Sequence, residues 1–134
     1  MSDANKAVAL ELYRRHNAGD FDVFDELLSD NFVEHERFPG LEPTRAGVRQ
    51  LFEMLHAAFE KATFEVHEII AEGDKVSVLA RLTGTHRAEF MGVAASGHPI
   101  DVGVSDWLRL EDGRVAEHWG VMDTGALMQQ ISGH

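Results

Sequence analysis

The sequence predicts an α+β fold in which a curved antiparallel sheet wraps around helices supplied by the N-terminal half. Two observations carry that prediction. Apolar residues recur at spacings of three and four up to about residue 62, then alternate with polar ones almost to the end. Two short turn signals, "GDK" and "EDG", break the alternating half into hairpins.

The first helix starts at Ser2 or Asp3, either of which can cap it, and carries Val8, Ala9, Leu12 and Tyr13 on one face. Gly19 should end it. In "FDVFDELLSD", Phe21, Phe24, Leu27 and Leu28 mark a second, short helix. "NFVEHERFPG" is extended, and Pro39 and Gly40 close it. The run "AGVRQLFEMLHAAFEKA" sets Val48, Leu51, Phe52, Leu55, Ala58 and Phe59 on one stripe, which must lie on the sheet.

"TFEVHEIIAE" and "KVSVLARLTGTHRAEF" form the first hairpin, with Val76, Val78, Ala80 and Leu82 on one face of the longer strand. After the loop "MGVAASGHP", "IDVGVSDWLRL" and "RVAEHWGVM" form the second. An Asp123 cap then opens a terminal helix carrying Leu127, Met128 and Ile131.

A chain of 134 residues fits one domain, expected over 1–134, with no repeats, low-complexity tracts or interdomain linker. Its 12 Lys and Arg against 23 Asp and Glu give a net charge of -11, which repels nucleic acid and anionic membranes. Cysteine is absent, so disulfides, thiolate metal sites and a cysteine nucleophile are excluded. No stretch has the length of a membrane span, and the opening lacks a signal-peptide pattern, so a cytoplasmic protein is expected. There are eight histidines, but no HExxH or other tight ligand spacing, and "EHE" at 34–36 reads as a polar strand end. Without GxSxG, GxGxxG or a Walker loop, neither a metal nor a cofactor is expected.

Candidate chemistry centres on Asp106 and His118, on the two arms of the last hairpin. A two-residue loop at Asp112 and Gly113 would pair Glu111 with Arg114 and send the two side chains to opposite faces. A three-residue loop at Glu111, Asp112 and Gly113 would put them opposite each other on one face. Asp-Gly suits both turns. A carboxylate among Val102, Val104 and Leu108 is costly unless paired or functional. His118 fits a core histidine bonded to backbone as well as a catalytic imidazole.

The stretch "THRAEFMGVAASGHPIDVGVSDWLRLEDGRVAEHWGVMDTGALMQQI" resembles the C-terminal half of the SnoaL-like polyketide (ester) cyclases, in the nuclear transport factor 2-like superfamily. "LYRRHNAGDFDVFDELLSDNFVEH" is similar to that family's opening. The resemblance implies a cone-shaped, cystatin-like α+β barrel, a helix-covered cavity and a homodimer formed through the sheet. It implies a cofactor-free cyclase or isomerase acting on a small, largely apolar carbonyl compound by enolisation and intramolecular aldol closure. It also implies that the polar side chains of the last two strands face the ligand, and hence the three-residue loop.

One departure from the family concerns the last strand, where Gly120 stands at the place of the acid/base Asp of the characterised cyclases. The partner position on the preceding strand, often His, is Asp106. The carboxylate would then have changed strands, with His118 supplying the imidazole. Asp106 and His118 are therefore the expected catalytic pair. His16, His35, Tyr13, Val104, Leu108, Leu55 and Met122 are the expected ligand contacts, although His16 also fits a helix-end histidine, His35 a surface one, and Tyr13 a core or interface aromatic. A non-catalytic ligand carrier or dimeric interaction module is the alternative, favoured by Gly120. Dehydratase, ketosteroid isomerase-like or epoxide hydrolase-like chemistry remains open, because fold never fixes reaction.

Overall fold

In a computed structural model, residues 2–133 of the chain are described, in the order α1 (Ser2–Asn17), α2 (Val23–Leu27), β1 (Leu28–Glu34), α3 (Arg45–Ala58), β2 (Phe59–Glu72), β3 (Lys75–His86), β4 (Pro99–Glu111), β5 (Arg114–Met122) and α4 (Thr124–Ser132). The five strands form one sheet in the order β1-β5-β4-β3-β2. The architecture is the expected α+β class, but the sheet is mixed: β1 runs parallel to β5, and the other pairs are antiparallel. The sheet curves over α1 and α3, and β-bulges between Glu60 and Thr63 and between Val66 and Glu68 bend its outer strand.

Local chemistry sets the ends of the helices. The Thr44 hydroxyl caps α3 by accepting from Gly47 N–H at 3.3 Å, and the Asp123 carboxylate caps α4 by accepting from Ala126 N–H at 3.0 Å. The periodicity carried α3 to residue 62, yet the helix stops at Ala58. There the Ala58 carbonyl accepts Arg87 N–H at 2.8 Å, and Phe59 pairs with His86 in the sheet. Phe59 stays buried, so its apolar character was legible but its backbone was not. Leu28, expected on the second helix, opens β1 instead.

The core lies between the helices and the concave face of the sheet. Val76, Val78, Ala80 and Leu82 of β3 and Ile100, Val102, Val104, Leu108 and Leu110 of β4 all point into it. Asn17 fastens α1 to β2: its amide donates to Phe64 O at 2.9 Å and its carbonyl accepts Phe64 N–H at 2.8 Å. That clamp fixes the helical register that aims Tyr13 and His16 at the sheet.

Candidate active site

The hairpin that carries Asp106 and His118 turns in two residues. Glu111 pairs with Arg114, and Asp112 and Gly113 both have positive φ, 53° and 77°, as a type I′ turn requires. The three-residue loop is therefore corrected, but its consequence is not lost. A bulge follows at once: Leu110 pairs with Val115 and Arg109 with Glu117, so Ala116 is an extra residue on β5. It reverses the parity of everything beyond it. Asp106 then pairs with Gly120 and His118 with Leu108, and both side chains enter the core side of the sheet.

Asp106 interrupts the apolar inward row of β4 and is only 8% exposed. Both its oxygens are satisfied, as burial of a carboxylate demands. Oδ2 accepts a hydrogen bond from the Tyr13 hydroxyl, and Oδ1 lies 2.7 Å from His118 Nε2. The other nitrogen, His118 Nδ1, lies 2.5 Å from Glu34 Oε2. The imidazole is thus held between two carboxylates. Burial opposes its charge, but the hydrogen bonds to Asp106 and Glu34 outweigh that and push its pKa up to about 10. Burial, together with the Asp106 charge, holds the Tyr13 phenol well above its ordinary range, so it serves as a donor.

These groups form the polar wall of a cavity of about 150 Å³. Leu55, Phe52 and Phe64 line its apolar side with Val104, Leu108 and Met122. His16 lines it too, at 2% exposure, with its ring 4.4 Å from that of Phe52 and 5.2 Å from that of Tyr13. Burial lowers its pKa to about 3, so it is a neutral imidazole, and its Nδ1 has no hydrogen-bond partner among the described residues.

The structure brings eight of the nine expected residues to this cavity, His16, Tyr13, Val104, Leu108, Leu55, Met122, Asp106 and His118, together with Glu34 and Glu36. His35 is elsewhere. It stacks on Trp119 with ring centroids 4.7 Å apart and places Nε2 2.7 Å from Glu117 Oε2, on the opposite face of the sheet. The reason is the alternation of an extended chain: His35 points out because Glu34 and Glu36 point in. "EHE" is therefore more than a polar strand end, and the sequence reading missed its two carboxylates.

Among the described residues, Glu36, Asp106 and His118 form the one group able to offer a metal ion three ligand atoms, all within 4.8 Å of one another. The donor set fits poorly. Both imidazole nitrogens are already engaged by carboxylates, and an imidazolium cannot ligate. No described helix is long and apolar enough to cross a membrane.

Comparison with known proteins identifies the family and the fold. Residues 7–131 match the family described as SnoaL-like polyketide cyclase. Among solved structures, the chain is similar to AclR, a provisionally assigned hydroxylase from Streptomyces galilaeus, at 30% identity and TM-score 0.87, covering 100% of this chain and 99% of that one. It is similar to IdmH, a provisionally assigned polyketide cyclase from Streptomyces antibioticus, at 30% identity and TM-score 0.83, covering 96% and 98%. A provisionally assigned SnoaL-like polyketide cyclase from Jannaschia sp. CCS1 is 29% identical with TM-score 0.87, covering 100% and 95%. No functionally curated protein matches the sequence. With the family pattern spanning nearly its whole length, this chain belongs to the SnoaL-like polyketide cyclase family.

Proposed function

We propose that the protein is a cyclase or isomerase that performs cofactor-free acid/base chemistry on a small, largely apolar carbonyl compound. The observation that carries this reading is Asp106, a buried carboxylate held by Tyr13 and His118 at the polar wall of an otherwise apolar cavity. The apolar wall would hold the carbon skeleton and exclude water, and the neutral His16 imidazole could hydrogen-bond a ligand oxygen. Asp106 would take the proton next to the carbonyl, with the His118 imidazolium offsetting the charge of the site.

A non-catalytic carrier is the second reading, and one observation favours it: both Asp106 oxygens already accept hydrogen bonds within the chain. Native mass spectrometry of freshly purified protein would identify a retained ligand and its carbon skeleton. Asp106→Asn and His118→Gln then separate the readings. Loss of turnover with ligand binding intact supports the enzyme, and unchanged handling of the ligand supports the carrier. The provisional hydroxylase among the relatives keeps other reactions on this scaffold in view.

A second copy of the chain is the proposed partner. The outer face of the sheet exposes Leu79, Trp107 and Val121, the last at 71%. Leu79 and Val121 lie on either side of Ser105 on neighbouring strands, and Trp107 is two residues along β4 from it, so the three gather on one region of the outer face. A monomer by sedimentation velocity would overturn the dimer. Given the net charge of -11, neither nucleic acid nor an anionic membrane is proposed as a partner.

A further inference from the structure

Gly120 pairs with Asp106 across the hairpin, and the space above it is taken. A Cβ at Gly120 would sit 2.4 Å from Glu36 Oε1, 2.7 Å from His118 Cε1 and 2.8 Å from Asp106 Oδ1. Three polar side chains converge where a larger residue would have placed its own. The segment bearing Glu36 is fastened there: His35 N–H donates to His118 O at 2.9 Å, Glu34 N–H to Pro43 O at 3.1 Å, and Glu36 N–H to Glu34 Oε2 at 3.0 Å. Glu34 and Asp106 are both bonded to His118, whereas no described group hydrogen-bonds the Glu36 carboxyl. It lines the cavity half-buried and unengaged.

We infer that Glu36 is a second proton-transfer group of this pocket, a general acid that protonates the carbonyl oxygen of the substrate while Asp106 takes the proton from the adjacent carbon. This rests on reading the pocket as a site for carbonyl chemistry. In the step, the C–H bond breaks and its proton passes to an Asp106 oxygen. The electron pair forms the enol double bond, and the carbonyl π pair moves to oxygen, which receives the Glu36 proton. Reversal at the same or another carbon returns both protons, so no co-reactant is consumed.

The surroundings suit an acid that must be partly protonated near neutrality. Burial pushes the Glu36 carboxyl up to about 7; the His118 imidazolium on β5 pulls against this, and the Asp106 and Glu34 carboxylates on β4 and β1 reinforce it. From α1 the group facing it is the protonated Tyr13 phenol, and the α3 residues that line the cavity are apolar. Arg37, next in sequence, also lines the cavity.

The test uses 2-tetralone, an apolar ketone, as probe. Its α-hydrogen exchange in D2O is followed by proton NMR with wild type, Glu36→Gln, Glu36→Asp and Asp106→Asn across the neutral range. In parallel, the Glu36 carboxyl carbon is titrated by NMR in the ligand-free protein. Wild type should exchange faster than buffer and slow above about pH 7, where Glu36 loses its proton. Glu36→Gln should slow exchange by about 100-fold and erase that alkaline fall, while Glu36→Asp keeps the fall at a reduced rate. A wild-type rate and profile in Glu36→Gln, with Asp106→Asn inactive, overturns the role of Glu36 and leaves the proposed function standing. The reverse pattern overturns the role of Asp106 and keeps Glu36. A Glu36 carbon that titrates in the ordinary carboxylate range overturns the inference, and wild-type exchange no faster than buffer overturns both it and the proposed function.

Discussion

Asp106 and His118 are diagonal neighbours across the last hairpin, with Nε2 2.7 Å from Oδ1, although a two-residue turn alone would put them on opposite faces of the sheet. The bulge at Ala116 is what reconciles turn and site. It adds one residue to β5 between the turn and His118, so the pocket depends on a residue that has no chemistry of its own.

Deleting Ala116 should therefore restore the parity set by the turn and send His118 to the outer face. Asp106 and Glu34 would lose their shared cation, which costs on the order of 3–5 kcal/mol when a buried pair is broken. Urea unfolding of the deletion variant measures the loss. Histidine side-chain NMR reads the contact directly, and an intact bond between His118 and Asp106 would contradict the role given to the bulge.

His118→Gln should make stability less dependent on alkaline pH. In the folded chain the imidazole holds its proton up to about pH 10, against an ordinary value of 6.5. Its contribution is complete below about 6.5 and is lost as pH rises through 10. The variant leaves two buried carboxylates without a cation, so it should be about 3–5 kcal/mol less stable at pH 7. The gap should narrow between pH 7 and 10 as the wild type loses its advantage. Thermal or urea unfolding over that range checks this, and parallel curves would show that the imidazole is not charged.

Much of this was legible in the sequence, and the exceptions share a cause. The alternation of β4 places Asp106 in a row of Val102, Val104 and Leu108, and the helical spacing of Val8, Ala9, Leu12 and Tyr13 places those residues on one face, whereas His16 is expected at the ligand only from the family resemblance. Such periodic signals are local. The pairing of β1 with β5 is not, because nothing within "NFVEH" names a partner more than 80 positions away. The bulge left only a faint mark, the two adjacent apolar residues Val115 and Ala116, both buried. Glu34 and Glu36 could have been found by that same alternation, since residues two apart in an extended segment share a face. His35 between them must then face away, and it does.

His16→Phe should protect the protein in acid. The folded state leaves this imidazole neutral until about pH 3, whereas the unfolded chain takes up a proton near 6.5. Stability is therefore present above 6.5 and falls as pH drops toward 3. Phenylalanine keeps the packing against Phe24, Phe52 and Phe64 and removes a buried nitrogen that has no partner. Relative to wild type the variant should gain roughly 2–3 kcal/mol between pH 7 and pH 4, measured by unfolding at each pH. If His16 contacts the ligand, the same change should weaken ligand binding.

Gly120→Ala should fold and yet disturb the site. Gly120 has no positive φ, so its backbone admits alanine, and replacing a strand glycine ordinarily stabilises by about 0.5–1 kcal/mol. Here the new methyl would meet Glu36 Oε1 at 2.4 Å, and the Glu36 side chain, bonded to no described group, is the neighbour freest to move. His118 Cε1 at 2.7 Å and Asp106 Oδ1 at 2.8 Å are tethered and would strain before they shifted. The expected outcome is a stability within about 1 kcal/mol of wild type, as the gain and the strain offset each other. With Glu36 displaced toward solvent, its carboxyl should titrate closer to the ordinary carboxylate range. Carbon NMR of the Glu36 carboxyl in both proteins decides the matter, and an unchanged titration would show that the space above Gly120 does not hold that carboxyl.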